Sequence, residues 1–124
     1  MIAQPLSILT LNIDDKFNQP IVIGDLQESI TSLSLGFEFN QTIAPGALPN
    51  NLRSLSLGRN FNQTITPGIL PNSLKTLTIL NPDFNQELIT EGSIPPSLER
   101  IYCVSENKEF INNPGLSKFI QIIK

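Results

Sequence analysis

Residues 39–55 read FNQTIAPGALPNNLRSL, and residues 61–77 read FNQTITPGILPNSLKTL. The two stretches begin 22 residues apart and agree in nearly every apolar, Gly and Pro position. Such a repetition decides the fold, because each copy forms the same unit and must bury its apolar side against the next copy. Working outward, the Phe-Asn pair recurs at Phe17, Phe39, Phe61 and Phe84, with spacings of 22, 22 and 23. An apolar triplet recurs upstream in the same phase: Ile8-Leu11-Ile13, Ile30-Leu33-Leu35, Leu52-Leu55-Leu57 and Leu74-Leu77-Ile79. A fifth copy, Leu98-Ile101-Cys103, follows after 24 residues, so one extra residue is expected near 80–83 and another within 87–92. Leu48-Pro49, Leu70-Pro71 and Ile94-Pro95 share a phase, with Leu26 and Pro5 as partial copies. Glycines at 24, 46, 68 and 92 complete the register.

A period of 22 is too short for the two-helix repeats and suits one strand plus one return segment per turn. Alternation in LSL, LSL and LTI fits a strand with one buried face. Pro-Gly at 45–46 and 67–68 argues against a regular helix in the return arm, where turns, extended segments or a 3₁₀ turn are expected. The predicted fold class is therefore a β-rich solenoid of leucine-rich-repeat-like character, with short parallel strands stacked at about 22 residues per coil. It forms a single domain over 1–124, with repeats near 5–26, 27–48, 49–70, 71–94 and 95–110 and a C-terminal cap at 111–124. Parallel strands about 4.8 Å apart give five coils a length of about 20–25 Å.

The triplets should face the core, and Phe17, Phe39, Phe61 and Phe84 should form an aromatic column beside it. Asn18, Asn40, Asn62 and Asn85 follow the phenylalanines; a carboxamide in a buried bend can pair with backbone groups of the next coil, giving a structural ladder. Asn40-Gln41-Thr42 and Asn62-Gln63-Thr64 also match the glycosylation pattern. Asn18 and Asn85 keep the phase but not that pattern, so the ladder accounts for more of the sites. The glycines are expected to permit turns or tight coil stacking, and the prolines to stiffen the approach to each strand.

Strand alternation leaves outward columns. One runs Thr10, Ser32, Ser54, Thr76 and Arg100; the next runs Asn12, Ser34, Ser56, Thr78 and Tyr102; a third runs Asp14, Gly36, Gly58, Leu80 and Val104. The first two columns define a possible interaction face, hydroxyl-rich in four coils and ending on Arg100 and Tyr102, residue types that carry binding hot spots.

Composition narrows the function. The 124 residues include no His and one Cys, so nucleophile systems built on His are absent, as are zinc sites rich in His or Cys. Asp14 and Asp15 are adjacent and would face opposite ways on a strand; Glu87 and Glu91 lie in an irregular arm. No catalytic, cofactor-binding or metal-binding residues are therefore expected, and the chain reads as a non-enzyme without cofactors. A net charge of −3 with no basic run argues against nucleic acid. No apolar stretch approaches a membrane span, so no membrane partner is expected. The lone Cys103 and the lack of a basic signal-peptide start favour an intracellular, cytoplasmic setting.

The ends depart from the register. Phe110 is a degenerate successor in the phenylalanine series, and LSKFIQIIK (116–124) could close the stack as a helix or a strand. The first triplet begins so near Met1 that the N-terminal coil has little room for a cap. It is expected to be covered by a partner or second copy, through self-association, or to continue a longer array.

The pattern FNQ-x-I-x-PG-x-LP-x-SL resembles the FNIP repeat, a short repeat akin to leucine-rich repeats, over about residues 3–103. Gln stands at 19, 41, 63 and 86 where the family name has Ile; the first copy has Pro20 and Gly24 without Pro-Gly, and the fourth has Glu91-Gly92. The resemblance implies a scaffold for protein–protein contact with an unknown protein partner. The alternatives are a structural or self-assembling unit, a fragment of a longer array, and a weak carbohydrate-binding module.

Overall fold

The computed structural model describes residues 8–85, 89–90 and 92–123. Pro5, Glu87 and Glu91 fall outside the described residues, as does the side chain of Phe110. Six strands form one sheet in chain order: β1 (Thr10–Asn12), β2 (Ser32–Ser34), β3 (Ser54–Leu57), β4 (Thr76–Ile79), β5 (Arg100–Val104) and β6 (Ile120–Ile123). Every neighbouring pair is parallel. Leu11, Leu33, Leu55, Leu77 and Ile101 are direct cross-strand partners, so the sequence phase and the spatial register coincide.

The apolar triplets are spaced three residues and then two, which simple alternation does not explain. The backbone does. Thr31 and Ser32 both donate their N–H groups to the Leu9 carbonyl, at 2.8 and 3.1 Å. Arg53 and Ser54 repeat this on Thr31, Lys75 and Thr76 on Arg53, and Glu99 and Arg100 on Lys75. Two consecutive residues share one acceptor, as in a β-bulge. Leu52 and Leu55 then both face inward while Arg53 and Ser54 both face outward.

Each coil closes through turns that recur in phase. After the strand, the N–H groups of Phe17, Phe39, Phe61 and Phe84 donate to the carbonyls of Asp14, Gly36, Gly58 and Asn81. In the return arm, Ala47 donates to Ala44 and Ile69 to Thr66, with Pro second and Gly third in each four-residue turn. Gly46 and Gly68 have φ of 81° and 93°, the left-handed geometry that the third position of a type II turn requires. Before the next strand, Leu52, Leu74 and Leu98 donate to Pro49, Pro71 and Pro95. Isolated parallel bridges Ile21–Ile43 and Ile65–Ile89 link the return arms of successive coils.

The core lies between sheet and return arms. Leu33, Leu55, Leu77 and Ile101 are buried, as are Phe39, Phe61 and Phe84. Ile8, Leu11 and Phe17 of the first coil are only partly buried. The extra residue beyond 80–83 falls between Phe84 and Ile89, since Ile89 keeps the same distance to Gly92 as Ile65 keeps to Gly68.

Of the helix and the strand weighed for the C-terminal segment, the described residues 116–123 form the strand, entered through a 3₁₀ turn. A one-turn helix α1 (Lys108–Ile111) and a 3₁₀ turn (Ser117–Phe119) lead into β6, which pairs with β5. Ile101 pairs with Ile120, only 19 residues on. Ile122 stands beside Cys103 yet is 49% exposed, so the apolar side of this last strand is open.

Candidate functional site

The outward columns are in cross-strand register. Thr10, Ser32, Ser54, Thr76 and Arg100 are successive partners, as are Asn12, Ser34, Ser56, Thr78 and Tyr102, the latter continuing to Gln121. Thr10, Asn12, Arg100 and Gln121 are exposed; the other members are part-exposed. The hydroxyls of Ser32, Ser34, Ser54, Ser56, Thr76 and Thr78 have no hydrogen-bond partner among the described residues. By contrast, the hydroxyls of Ser29, Ser73 and Ser97, one residue before each strand-leading apolar residue, donate to the carbonyls of Ile8, Leu52 and Leu74. Asn51 has the same place in its coil and donates from Nδ2 to the Glu28 carbonyl. The repeat thus holds two classes of hydroxyl: one stitches coils together, the other faces solvent.

The third column is outward only in part: Asp14 is exposed, and Leu80 and Val104 are part-exposed. Gly36 and Gly58 are buried, because the chain bends inward straight after the strand. A Cβ on Gly36 would sit 2.6 Å from the Asp14 carbonyl oxygen, and one on Gly58 would sit 2.2 Å from that of Gly36. Tight coil stacking therefore belongs to these two glycines. Gly24, Gly46, Gly68 and Gly92 have positive φ and room around them, so they serve the turn alone.

Sequence reasoning also missed a column. The shared-carbonyl step turns Leu9, Thr31, Arg53, Lys75 and Glu99 outward at the leading rim of the face. The three-then-two spacing of the apolar triplets was the signal for it. Leu9 is 61% exposed. Lys75 and Glu99 form an ion pair at 3.8 Å, with both side chains largely solvated.

Behind the face run two ladders. Stacked rings of Phe17, Phe39, Phe61 and Phe84 have centroid separations of 6.1, 6.0 and 6.1 Å. Their interplanar angles are 2°, 3° and 19°, the widest lying where the chain carries its extra residues. The Asn18 side-chain oxygen accepts the Asn40 backbone N–H, and that of Asn40 accepts the Asn62 N–H, each at 2.8 Å. Asn40 Oδ1 also accepts from Gln63 Nε2 at 3.0 Å. These side chains are not in a buried bend as expected: Asn18, Asn62 and Asn85 are exposed and Asn40 part-exposed. A charge-free rung tolerates exposure because its backbone partner is fixed by the coil. Asn107, which the sequence did not single out, is one of two buried polar residues among the described ones, with Ser93; its Nδ2 donates to the Phe84 carbonyl at 3.0 Å.

The carboxylates serve the turns. Asp14 Oδ1 accepts the Lys16 N–H at 2.7 Å, and Asp15 Oδ1 accepts the Phe37 N–H at 3.2 Å. Among the described residues no group of three His, Cys, Asp or Glu could hold a metal ion, and no helix is long and apolar enough to cross a membrane. Cys103 lies in the core, and its burial pushes the thiol pKa up.

Residues 17–60 and 61–102 each match the family model of the FNIP repeat. The chain belongs to the FNIP repeat family. Its architecture is a parallel β-solenoid of leucine-rich-repeat type, an architecture typical of protein–protein interaction scaffolds. No curated protein matches it. Among solved structures the FNIP chain is similar to CroV588, described as a novel circular LRR protein, with 45% identity and a TM-score of 0.75. The match covers 81% of this chain and 14% of CroV588. This chain therefore corresponds to a small part of that longer protein.

Proposed function

We propose that the protein is an interaction scaffold whose sheet face, from Thr10 and Asn12 to Arg100 and Tyr102, receives a protein partner. The observation that carries this reading is the pair of registered columns whose hydroxyls make no bond within the described chain. Six such groups on a rigid sheet offer donors and acceptors at fixed spacing, at little cost in ordering on binding. Tyr102 and Arg100 close the columns with residue types that anchor interfaces. The test is Ser34→Tyr and Ser56→Tyr. The column already holds a tyrosine at 102, so the fold should accept both. Partners captured by the wild-type chain should be lost by these variants while the circular-dichroism melt is unchanged; full capture by both would count against the face.

A second reading, an arc within a larger assembly, is favoured by the open apolar ends. Ile8, Leu11 and Phe17 are half-covered at one end, and Ile122 is 49% exposed at the other. A closed ring, the form that the word circular in the description of CroV588 names, would cover both ends. Sedimentation velocity across a concentration series tests it for this chain: growth of the species with concentration supports end-to-end association, and a constant monomer opposes it.

A further inference from the structure

We propose that the basic half of the sheet face, around Arg53, Lys75 and Arg100, receives an extended acidic segment of a partner protein; this rests on the sheet-face reading above. The chain is acidic overall, with eleven Asp and Glu against eight Lys and Arg. Its charges are segregated. The five rows of outward positions on β1 to β5, counting the rim column, hold Arg53, Lys75 and Arg100 but only one acid, Glu99. The remaining described acids, among them Asp14, Asp25, Glu28 and Glu38, lie on the bends and return arms.

The three cations are adjacent along a run of backbone hydrogen bonds. The Lys75 N–H donates to the Arg53 carbonyl at 2.8 Å, and the Arg100 N–H donates to the Lys75 carbonyl at 3.2 Å. Like charges on neighbouring strands repel. Glu99 relieves Lys75 alone; Arg53 and Arg100 are exposed and have no ion-pair partner among the described residues. The first two coils hold Leu9 and Thr31 at the rim position, so the repeat does not require a cation there.

Carboxylates supply the missing charge, and arginine takes them through two parallel hydrogen bonds. Arg53 and Arg100 stand two strands apart, about 10 Å. An extended chain advances about 3.3 Å per residue, so acids every third residue match that separation. The Thr76 hydroxyl lies between, paired across the strands with Ser54 and Arg100, ready to bond the peptide backbone.

Fluorescence anisotropy with a labelled peptide bearing glutamate at every third position tests this. Its lysine counterpart and a single-stranded oligonucleotide serve as the other arms. At low ionic strength, about 20 mM, the glutamate peptide should bind and the lysine peptide should not. The triple variant R53T/K75T/R100T, which installs the threonines found in neighbouring coils, should weaken binding about ten-fold. E99Q should tighten it roughly two-fold. Unchanged affinity in the triple variant, or tighter binding of the oligonucleotide, overturns the proposal. If the Ser34→Tyr and Ser56→Tyr variants lose captured partners while the triple variant keeps them, the acidic chemistry fails and the face stands. If the triple variant loses the glutamate peptide while both tyrosine variants keep their partners, the basic patch stands and the hydroxyl face fails.

Discussion

Asn40 holds the backbone N–H of Asn62, one coil on, with the same side-chain oxygen that takes the Gln63 amide. Its own N–H is held in turn by Asn18. Each rung satisfies a backbone donor that the bend takes out of the strand ladder, so the repeat of Asn every coil has a mechanical reason. Asn40→Ala removes an acceptor used twice. It should cost about 1–2 kcal/mol in urea unfolding. Asn40→Asp keeps the acceptor and should cost less. Equal losses in the two variants would show that the oxygen is not what matters.

The phenylalanine column makes a positional prediction. Phe39 is buried between two parallel rings, whereas Phe17 has one ring neighbour and an open outer side. Phe39→Ala should destabilise by about 3–5 kcal/mol, the range for a buried aromatic. Phe17→Ala should cost clearly less, because less area returns to water and one stacked contact of about 1 kcal/mol is lost instead of two. Thermal melts of the two variants give the order directly.

Much of this was legible in the chain itself, for a physical reason. Repetition aligns like residues in space, so the columns through Leu33, Leu55 and Leu77, through the phenylalanines and through Ser34 and Ser56 could be read off by counting. What counting could not show was how the backbone turns between columns. The doubled acceptor at Thr31 swings Arg53 outward, and that depends on hydrogen bonds across coils, not on residue type. The bend after β2 and β3 buries Gly36 and Gly58, which alternation alone places outside. Asn107 escaped notice because it sits where the phase has already broken down.

The two kinds of glycine should respond differently to the same change. Gly58→Ala sets a methyl against the Gly36 carbonyl oxygen, a backbone atom that cannot yield without separating two coils. The expected loss is about 3 kcal/mol or more, at the upper end for overpacking. Gly24→Ala meets nothing nearby and bears only the strain of φ at 96°, about 1–2 kcal/mol. Urea midpoints that ranked the two the other way would remove the stacking role assigned to Gly58.

Cys103 gives the fold a pH response. The thiol is fully buried beside the Ile79 position of the previous strand, and burial raises its pKa above the ordinary value. An acid whose folded pKa is raised stays protonated in the native state while the unfolded chain has already released its proton. Stability contributed this way is complete below the unfolded thiol pKa, about 8.5, and falls as pH rises beyond it. The slope cannot exceed about 1.4 kcal/mol per pH unit for one group. Urea unfolding between pH 7 and 10, about the window in which a thiol ionises, should therefore show a declining midpoint in the wild-type chain. Cys103→Ala should start lower, from the lost packing, and decline less steeply over the same window. Parallel slopes for the two chains would mean that the buried thiol contributes nothing to the response.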